Sequence, residues 1–223
     1  MKLSTAILAG GRNIRAGQNK ALLQYNNRRF INKIVKELGG FSETLISTAV
    51  KGDYEDLGLP VVYDTHRDIG PMEGIYQALK HASEEYVFIC GADMPFIKKE
   101  LVLFMAEAVS SEYDCFCLMD EEHVHPLCAI YSKKALTVIE ELIAKGQHRL
   151  VYILNSIRTK YIRLECTAFD KKVVKNINTK DQCRPFVLLV DNCVQEVQDC
   201  EKPWLISKLI NEFIKEGCMI CPN

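Results

Sequence analysis

Leu8-Ala9-Gly10-Gly11-Arg12-Asn13-Ile14-Arg15-Ala16-Gly17-Gln18-Asn19-Lys20 grows directly out of the apolar run Ala6-Ile7-Leu8-Ala9. The run reads as a short buried strand, and the glycines, polar residues and lysine after it read as a loop. A strand entering a Gly-rich loop brings backbone N–H groups close to a phosphate. Glycine leaves room for that approach and permits positive φ, while Arg15 and Lys20 supply positive charge for a polyphosphate. The plain alternative is a strand-to-helix turn with solvated basic residues. Two familiar loops are excluded by spacing. No G-x-G-x-x-G occurs, and Gly17 is followed by Gln18 rather than the Lys of G-x-x-x-x-G-K-[ST].

Working outward, 223 residues with 48% hydrophobic content suit one domain with a sizeable core and room for a small appendage. A net charge of −1 gives no global field for nucleic acid or an anionic membrane. No apolar run is long enough for a transmembrane helix, and Met1-Lys2-Leu3-Ser4 leads into the first strand without a signal-peptide core. A cytoplasmic protein is expected. Most of the ten cysteines sit in apolar runs and read as small core residues. Cys218 and Cys221 form the one C-x-x-C, with no second pair to complete a zinc site.

Periodicity then gives alternating elements. Strands are expected at 44–50, 61–63, 86–90, 114–118, 127–131 and 161–164. Helices are expected at 30–38, from Pro71 after Gly70, at 98–109, 134–144 and 149–156. Strands alternating with helices predict a three-layer αβα fold with a mostly parallel, Rossmann-like sheet. Residues 1–184 form the main domain in this reading. Residues 185–223 form a strand-loop-helix extension, with the strand at 186–190 and an amphipathic helix at 203–216. Thr179 and Gln182 suggest a capping box. Ligands of such sheets bind outside the carboxyl ends of the strands, which places the glycine loop, Asp64 and Asp93 on one edge.

Several residues there are fit for chemistry, each with a structural alternative. Asp93, in Gly91-Ala92-Asp93-Met94-Pro95, is placed to bind a hard cation such as Mg²⁺ beside phosphate, or to cap the next helix. Asp64 reads as a site carboxylate or a solvated turn residue. Gly70-Pro71 opens a helix whose N-terminus carries free N–H groups and partial positive charge. His125-Pro126 is either a site histidine or a satisfied loop residue. Asn176 and Asn178 line a pocket or cap a helix.

The opening stretch resembles L-A-G-G-x-S-x-R-M-G-x-x-K, the signature of nucleotidyltransferases and in particular of the molybdenum cofactor guanylyltransferases (the molybdopterin-guanine dinucleotide biosynthesis protein A family). Asn13 and Ala16 depart from the usual Ser and Met. Further similarities follow in family order up to Thr179. Gly70-Pro71-Met72-Glu73-Gly74 resembles G-P-L-x-G, Gly91-Ala92-Asp93-Met94-Pro95 resembles C-x-D-x-P with Gly91 for Cys, and His125-Pro126 resembles H-P. Asn176-Ile177-Asn178-Thr179 resembles N-[VI]-N-T, and Gly146-Gln147-His148-Arg149 resembles a further family loop.

The resemblance implies a sheet of the nucleotidyltransferase type and transfer of GMP from GTP to the phosphate of molybdopterin or molybdenum cofactor. It implies nucleotide contacts from Leu8, Ala9, Gly10, Gly11, Lys20, Asp64, Gly70, Pro71 and Asp93. Ser47 or Thr48 stands where the family has a base-binding Asn. Catalysis would fall to Lys20, Arg15 and Asp93, with Mg²⁺ on Asp93. Acceptor binding would fall to His125, Arg149, Asn176 and Asn178. Proteins that deliver or receive the cofactor are implied partners; nucleic acid and membrane are not. Competing readings are a cytidylyltransferase, for which Gly10-Gly11 is the wrong loop, a sugar-phosphate nucleotidyltransferase, and a silent nucleotide-binding relative.

Overall fold

Strand β1 (Ser4–Leu8) is buried at every residue, because it pairs in parallel with β4 (Glu43–Thr48) on one side and β6 (Tyr86–Gly91) on the other. Such a strand has no solvent face, which is why it reads as a continuous apolar run rather than an alternating one. The structure is a computed structural model describing residues 2–10, 24–25, 28–66, 68–177, 187–190 and 193–196. The other strands of the main sheet are β5 (Val61–Tyr63), β7 (Cys115–Met119), β8 (Val124–Ser132) and β9 (Thr159–Arg163). Their order is β5-β4-β1-β6-β8-β7-β9, and β8 alone runs against the rest. A small antiparallel pair, β2 (Gln24–Tyr25) with β3 (Arg28–Arg29), flanks the Asn26-Asn27 turn signal.

Helices cover both faces. Alternate residues of β1 supply the two cores: Ile7 packs with Ile31 and Ile34 of α1 (Phe30–Glu37) and with Leu101, Val102 and Met105 of α3 (Lys99–Glu107). Ala6 and Leu8 pack with Met72, Ile75 and Leu79 of α2 (Pro71–His81). The same core takes in Ile139 of α4 (Ala135–Ala144) and Ile153 of α5 (Leu150–Ser156). The three-layer αβα expectation therefore holds. Buried Cys90, Cys115, Cys117 and Cys128 are free core thiols, while Cys166 is exposed.

Chain contacts divide the protein into residues 1–178 and 179–223. In the second unit, β10 (Val187–Val190) pairs antiparallel with β11 (Cys193–Glu196). This corrects the strand-loop-helix reading of the extension: the stretch after Val190, read as loop, carries a second strand. The expected helix at 203–216, the Thr179/Gln182 cap and the Cys218/Cys221 pair lie outside the described residues. No helix among the described residues is long and apolar enough to cross a membrane.

Candidate active site

The carboxyl edge of the sheet gathers the candidate residues. Backbone hydrogen bonds continue one residue past the strand ends. The Asp64 amide donates to Thr48 O (3.0 Å), Ala9 to Ser47 O (2.8 Å) and Ala92 to Leu8 O (3.0 Å). The loops carrying Asp64, Gly10 and Asp93 thus leave the sheet side by side, in rigid register. The Tyr54 hydroxyl, fully buried, donates to Ala9 O (3.3 Å) and steadies the start of the glycine loop. Gly10 lies beside the Asp64 carboxylate, whose Oδ2 would be 3.7 Å from a Cβ built at Gly10. Its φ is not in the left-handed region, so positive φ, one of the two reasons for glycine, is not used at Gly10. Close approach remains.

Asp93 is positioned by the glycine two residues before it. A Cβ at Gly91 would sit 2.6 Å from Asp93 Oδ1, closer than real Cβ contacts allow. Gly91 therefore lets the carboxylate fold back over the strand end. Met94 N donates to Gly91 O (3.1 Å), closing the turn, and Ile177 N donates to Asp93 O (2.8 Å). That last bond brings the Asn176-Ile177 segment to the Asp93 loop.

On the β5–β4–β1 side the polar groups are buried. Gly70 has φ 78° and caps α2, with Pro71 in its first turn. Residues 72–79 are all buried, Glu73 and Gln77 included. The Glu73 carboxylate accepts from Thr65 N (2.9 Å), Thr65 Oγ1 (3.1 Å), His66 N (3.2 Å) and Gln77 Nε2 (2.7 Å). It also meets His66 Nδ1 at 2.9 Å. Burial pushes its pKa up, but the hydrogen bonds from Gln77, Thr65 and His66 outweigh that and hold it below the ordinary value. Asp64 is the reverse case. Burial first, and the Glu73 charge second, push its carboxyl up to about 6. Asp64 Oδ1 and Ser47 Oγ are buried with no hydrogen-bond partner. Such groups are costly unless a ligand or water meets them. A Cβ at Gly74 would lie 3.2 Å from Leu8 Cδ2 and 3.4 Å from Ser47 Oγ, so α2 seats directly on both.

A sequence profile of the MobA-like NTP transferase domain matches residues 5–160. The chain belongs to this family. MobA-like transferases of known name are similar over most of the chain. The probable molybdenum cofactor guanylyltransferase of Clostridium perfringens is 34% identical over 190 residues, 82% of this chain and 94% of that protein. The molybdenum cofactor guanylyltransferase of Vibrio cholerae is 30% identical over 163 residues, 71% of this chain and 80% of that one. The crystal structure of molybdopterin-guanine dinucleotide biosynthesis protein A from Archaeoglobus fulgidus superposes with a TM-score of 0.71 at 25% identity, covering 81% of this chain and 94% of that one.

The MobA-like fold brings most of the sequence candidates to the one edge. Leu8, Ala9, Gly10, Ser47, Asp64, Gly70 and Pro71 lie on the β5–β4–β1 side, and Asp93 follows β6. His125 opens β8, where Leu118 is its partner on β7. Asn176 is exposed, one residue from the bond between Ile177 and Asp93. Arg149 is exposed at the N-cap of α5, and no hydrogen bond or ion pair joins it to Asp93 or His125. Gly11, Arg15, Lys20 and Asn178 lie outside the described residues. Among the described residues no three or more His, Cys, Asp or Glu side chains form a metal cage.

Two residues escaped the sequence reading. Glu73 is the fourth residue of Gly70-Pro71-Met72-Glu73-Gly74 and stands four before Gln77, a spacing that puts both on one helix face. Asp120 stands between the expected strands at 114–118 and 127–131, and its Oδ2 meets His125 Nε2 at 2.8 Å. The Asp-x-x-x-x-His spacing across a tight strand connection was the available signal.

Proposed function

We propose that this chain transfers GMP from GTP to the terminal phosphate of molybdopterin or its molybdenum form. The observation that carries the reading is the position of Asp93. In a MobA-like transferase it stands beside buried, unpartnered polar groups, Ser47 Oγ and Asp64 Oδ1, on one side, and on the same edge as His125, with Asn176 next to the residue bonded to it. An acceptor phosphate oxygen attacks the α-phosphorus, the bond from that phosphorus to the β-bridging oxygen breaks, and pyrophosphate leaves. The nucleophile is already ionised, so positioning and charge neutralisation supply the catalysis.

Ser47 and Asp64 offer a hydroxyl and a carboxylate to base and ribose, with Gly10 and the α2 N-terminus close beside the nucleotide. Lys20 and Arg15 neutralise the triphosphate, and Gly11 gives its backbone to it. His125, Arg149, Asn176 and Asn178 hold the acceptor. Asp93 is the residue that would hold Mg²⁺, which supplies further neutralisation of phosphate charge when bound. Residues 1–184 constitute the catalytic domain in this reading, 185–223 an extension, and the reaction belongs to the cytoplasm.

Thermal shifts with GTP, CTP, ATP and UTP, each with Mg²⁺, test the nucleotide. Incubation with GTP and molybdopterin, followed by detection of pyrophosphate and the dinucleotide, tests the reaction. GTP-selective stabilisation with dinucleotide formation is expected. CTP-selective stabilisation, or no pyrophosphate release with any nucleotide, overturns the reading.

A further inference from the structure

Asp120 closes the connection between β7 and β8, five residues before His125. Its two oxygens have different partners. Oδ1 accepts from the amides of Glu122 (2.9 Å) and His123 (2.8 Å), which ties the carboxylate to the turn backbone. Oδ2 stands 2.8 Å from His125 Nε2. Asp120's own amide donates to His123 O at 2.9 Å, so the whole turn is braced. Both side chains are largely buried, 13% exposed for Asp120 and 19% for His125. Burial pushes the Asp120 carboxyl up, but hydrogen bonds from His125, Glu122 and His123 bring it down to about 2. The carboxylate is therefore ionised at neutral pH, and the proton between the pair sits on Nε2. In the imidazolium both ring nitrogens donate, so Nε2 can serve Asp120 while Nδ1 donates to an anionic ligand.

The strand register says where this ring stands. β6 pairs with β8 from Tyr86↔Ser132 to Cys90↔Cys128. Because β8 runs antiparallel to β6, the start of β8, with His125, lies at the same carboxyl edge as the loop after β6 that carries Asp93. A register shift on β8 falls between Ala129 and His125, the partners of Cys117 and Leu118. It accommodates Pro126, which has no N–H to donate to a ladder, and it turns the strand end.

Resting on the guanylyl-transfer reading, we propose that Asp120 is a positioning residue of the acceptor site. It grips His125 by Nε2 so that Nδ1 donates to the attacking phosphate of the acceptor. Asp120 touches no substrate itself.

Two variants separate this from a purely structural turn carboxylate. Asp120→Ser keeps a short oxygen for the turn amides but does not reach His125. Asp120→Asn caps the same amides with its oxygen and donates from its amide nitrogen to His125 Nε2, which places the proton of the neutral ring on Nδ1, still a donor to phosphate. Steady-state kinetics with GTP and molybdopterin are the readout. Asp120→Ser should raise the acceptor KM about 10-fold to 100-fold, the usual effect of losing an orienting partner, with the KM for GTP unchanged. Asp120→Asn should recover most of that. His125→Gln should match Asp120→Ser, and the double variant should be no worse than His125→Gln alone.

Equal behaviour of the Ser and Asn variants, an unchanged acceptor KM in Asp120→Ser, or multiplying effects in the double variant overturns the proposal. Should Asp120→Ser fail to fold, the cycle between Asp120→Asn and His125→Gln decides by the same additivity criterion. Failure of the wild-type chain to use molybdopterin overturns the parent reading and this one together. A normal wild type with an inert Asp120 overturns this one alone.

Discussion

On the β5–β4–β1 side of Asp93, polar groups are inside the protein and short of partners; on the β8–β7 side, they are near the surface and paired with each other. Ser47 Oγ and Asp64 Oδ1 are buried without a hydrogen bond, and Asp64 is further pressed by the buried charge of Glu73. Across the edge, Asp120 holds His125, and Glu121 pairs with Lys171 at 2.9 Å. The difference follows from the strands. Parallel strand ends covered by α2 bury whatever follows them, so a polar residue there keeps an unmet need that a ligand can fill. An antiparallel connection lies open to water and can satisfy its own side chains. The first kind of surface leaves hydrogen bonds unmet; the second pairs its own side chains.

The sharpest way to break this comparison is at the boundary residue. Asp93→Asn should lower kcat by about 10³-fold, the scale of losing a group that stabilises transition-state charge, while thermal unfolding stays close to the parent. Near-normal turnover would remove Asp93 from the chemistry. Next in size is Gly91→Ala. A Cβ there would meet Asp93 Oδ1 at 2.6 Å, so the carboxylate must move, and a displacement of about 1 Å costs about 10²-fold in rate. Unchanged kcat would show that the Asp93 position is not critical.

On the buried side, Glu73→Ala strands the amides of Thr65 and His66 and the Gln77 side chain. A loss of about 3 kcal/mol is expected in denaturant unfolding. A loss below about 1 kcal/mol would mean that water replaces the carboxylate and the side is wetter than it looks.

The smallest effect concerns pH. Asp64 titrates at about 6 in the folded protein, above its ordinary value, so the folded state retains a proton that the unfolded chain has released. Its contribution to stability is therefore present below about pH 4 and lost as pH rises towards about 6. Asp64→Asn removes that loss. At pH 7.5 it should melt roughly 3 °C higher than the parent, allowing for screening at a half-exposed site, while binding GTP more weakly. A variant that melts lower at pH 7.5 would contradict the strained carboxylate.

Sequence patterns alone were sufficient for the strand-helix order, because burial on both faces leaves runs such as Ala6-Ile7-Leu8 and Tyr86-Val87-Phe88-Ile89-Cys90 that are hard to misread. Gly70-Pro71 marked the start of α2 for the same local reason: the turn needs the φ of 78° that glycine adopts, and proline suits a first helical turn. Asp93 and Asp64 were also legible, since each ends a strand and the carboxyl edge is where ligands of such sheets bind. The extension was misread after Val190, where polar residues of β11 gave no apolar pattern to follow.

What the sequence by itself determined is therefore the αβα plan and the residues that end its strands, since both follow from local periodicity and chain direction. What only the tertiary structure decided is which groups meet. Residues distant along the chain are brought together: β8 runs antiparallel to β6, so its start, with His125, comes to the edge that carries Asp93, and Ile177 reaches Asp93. Glu73 becomes a fully buried acid only once α2 closes over the Thr65-His66 turn. Burial, and with it the unmet hydrogen bonds of Ser47 and Asp64, is a property of packed elements, and no single stretch of sequence carries it.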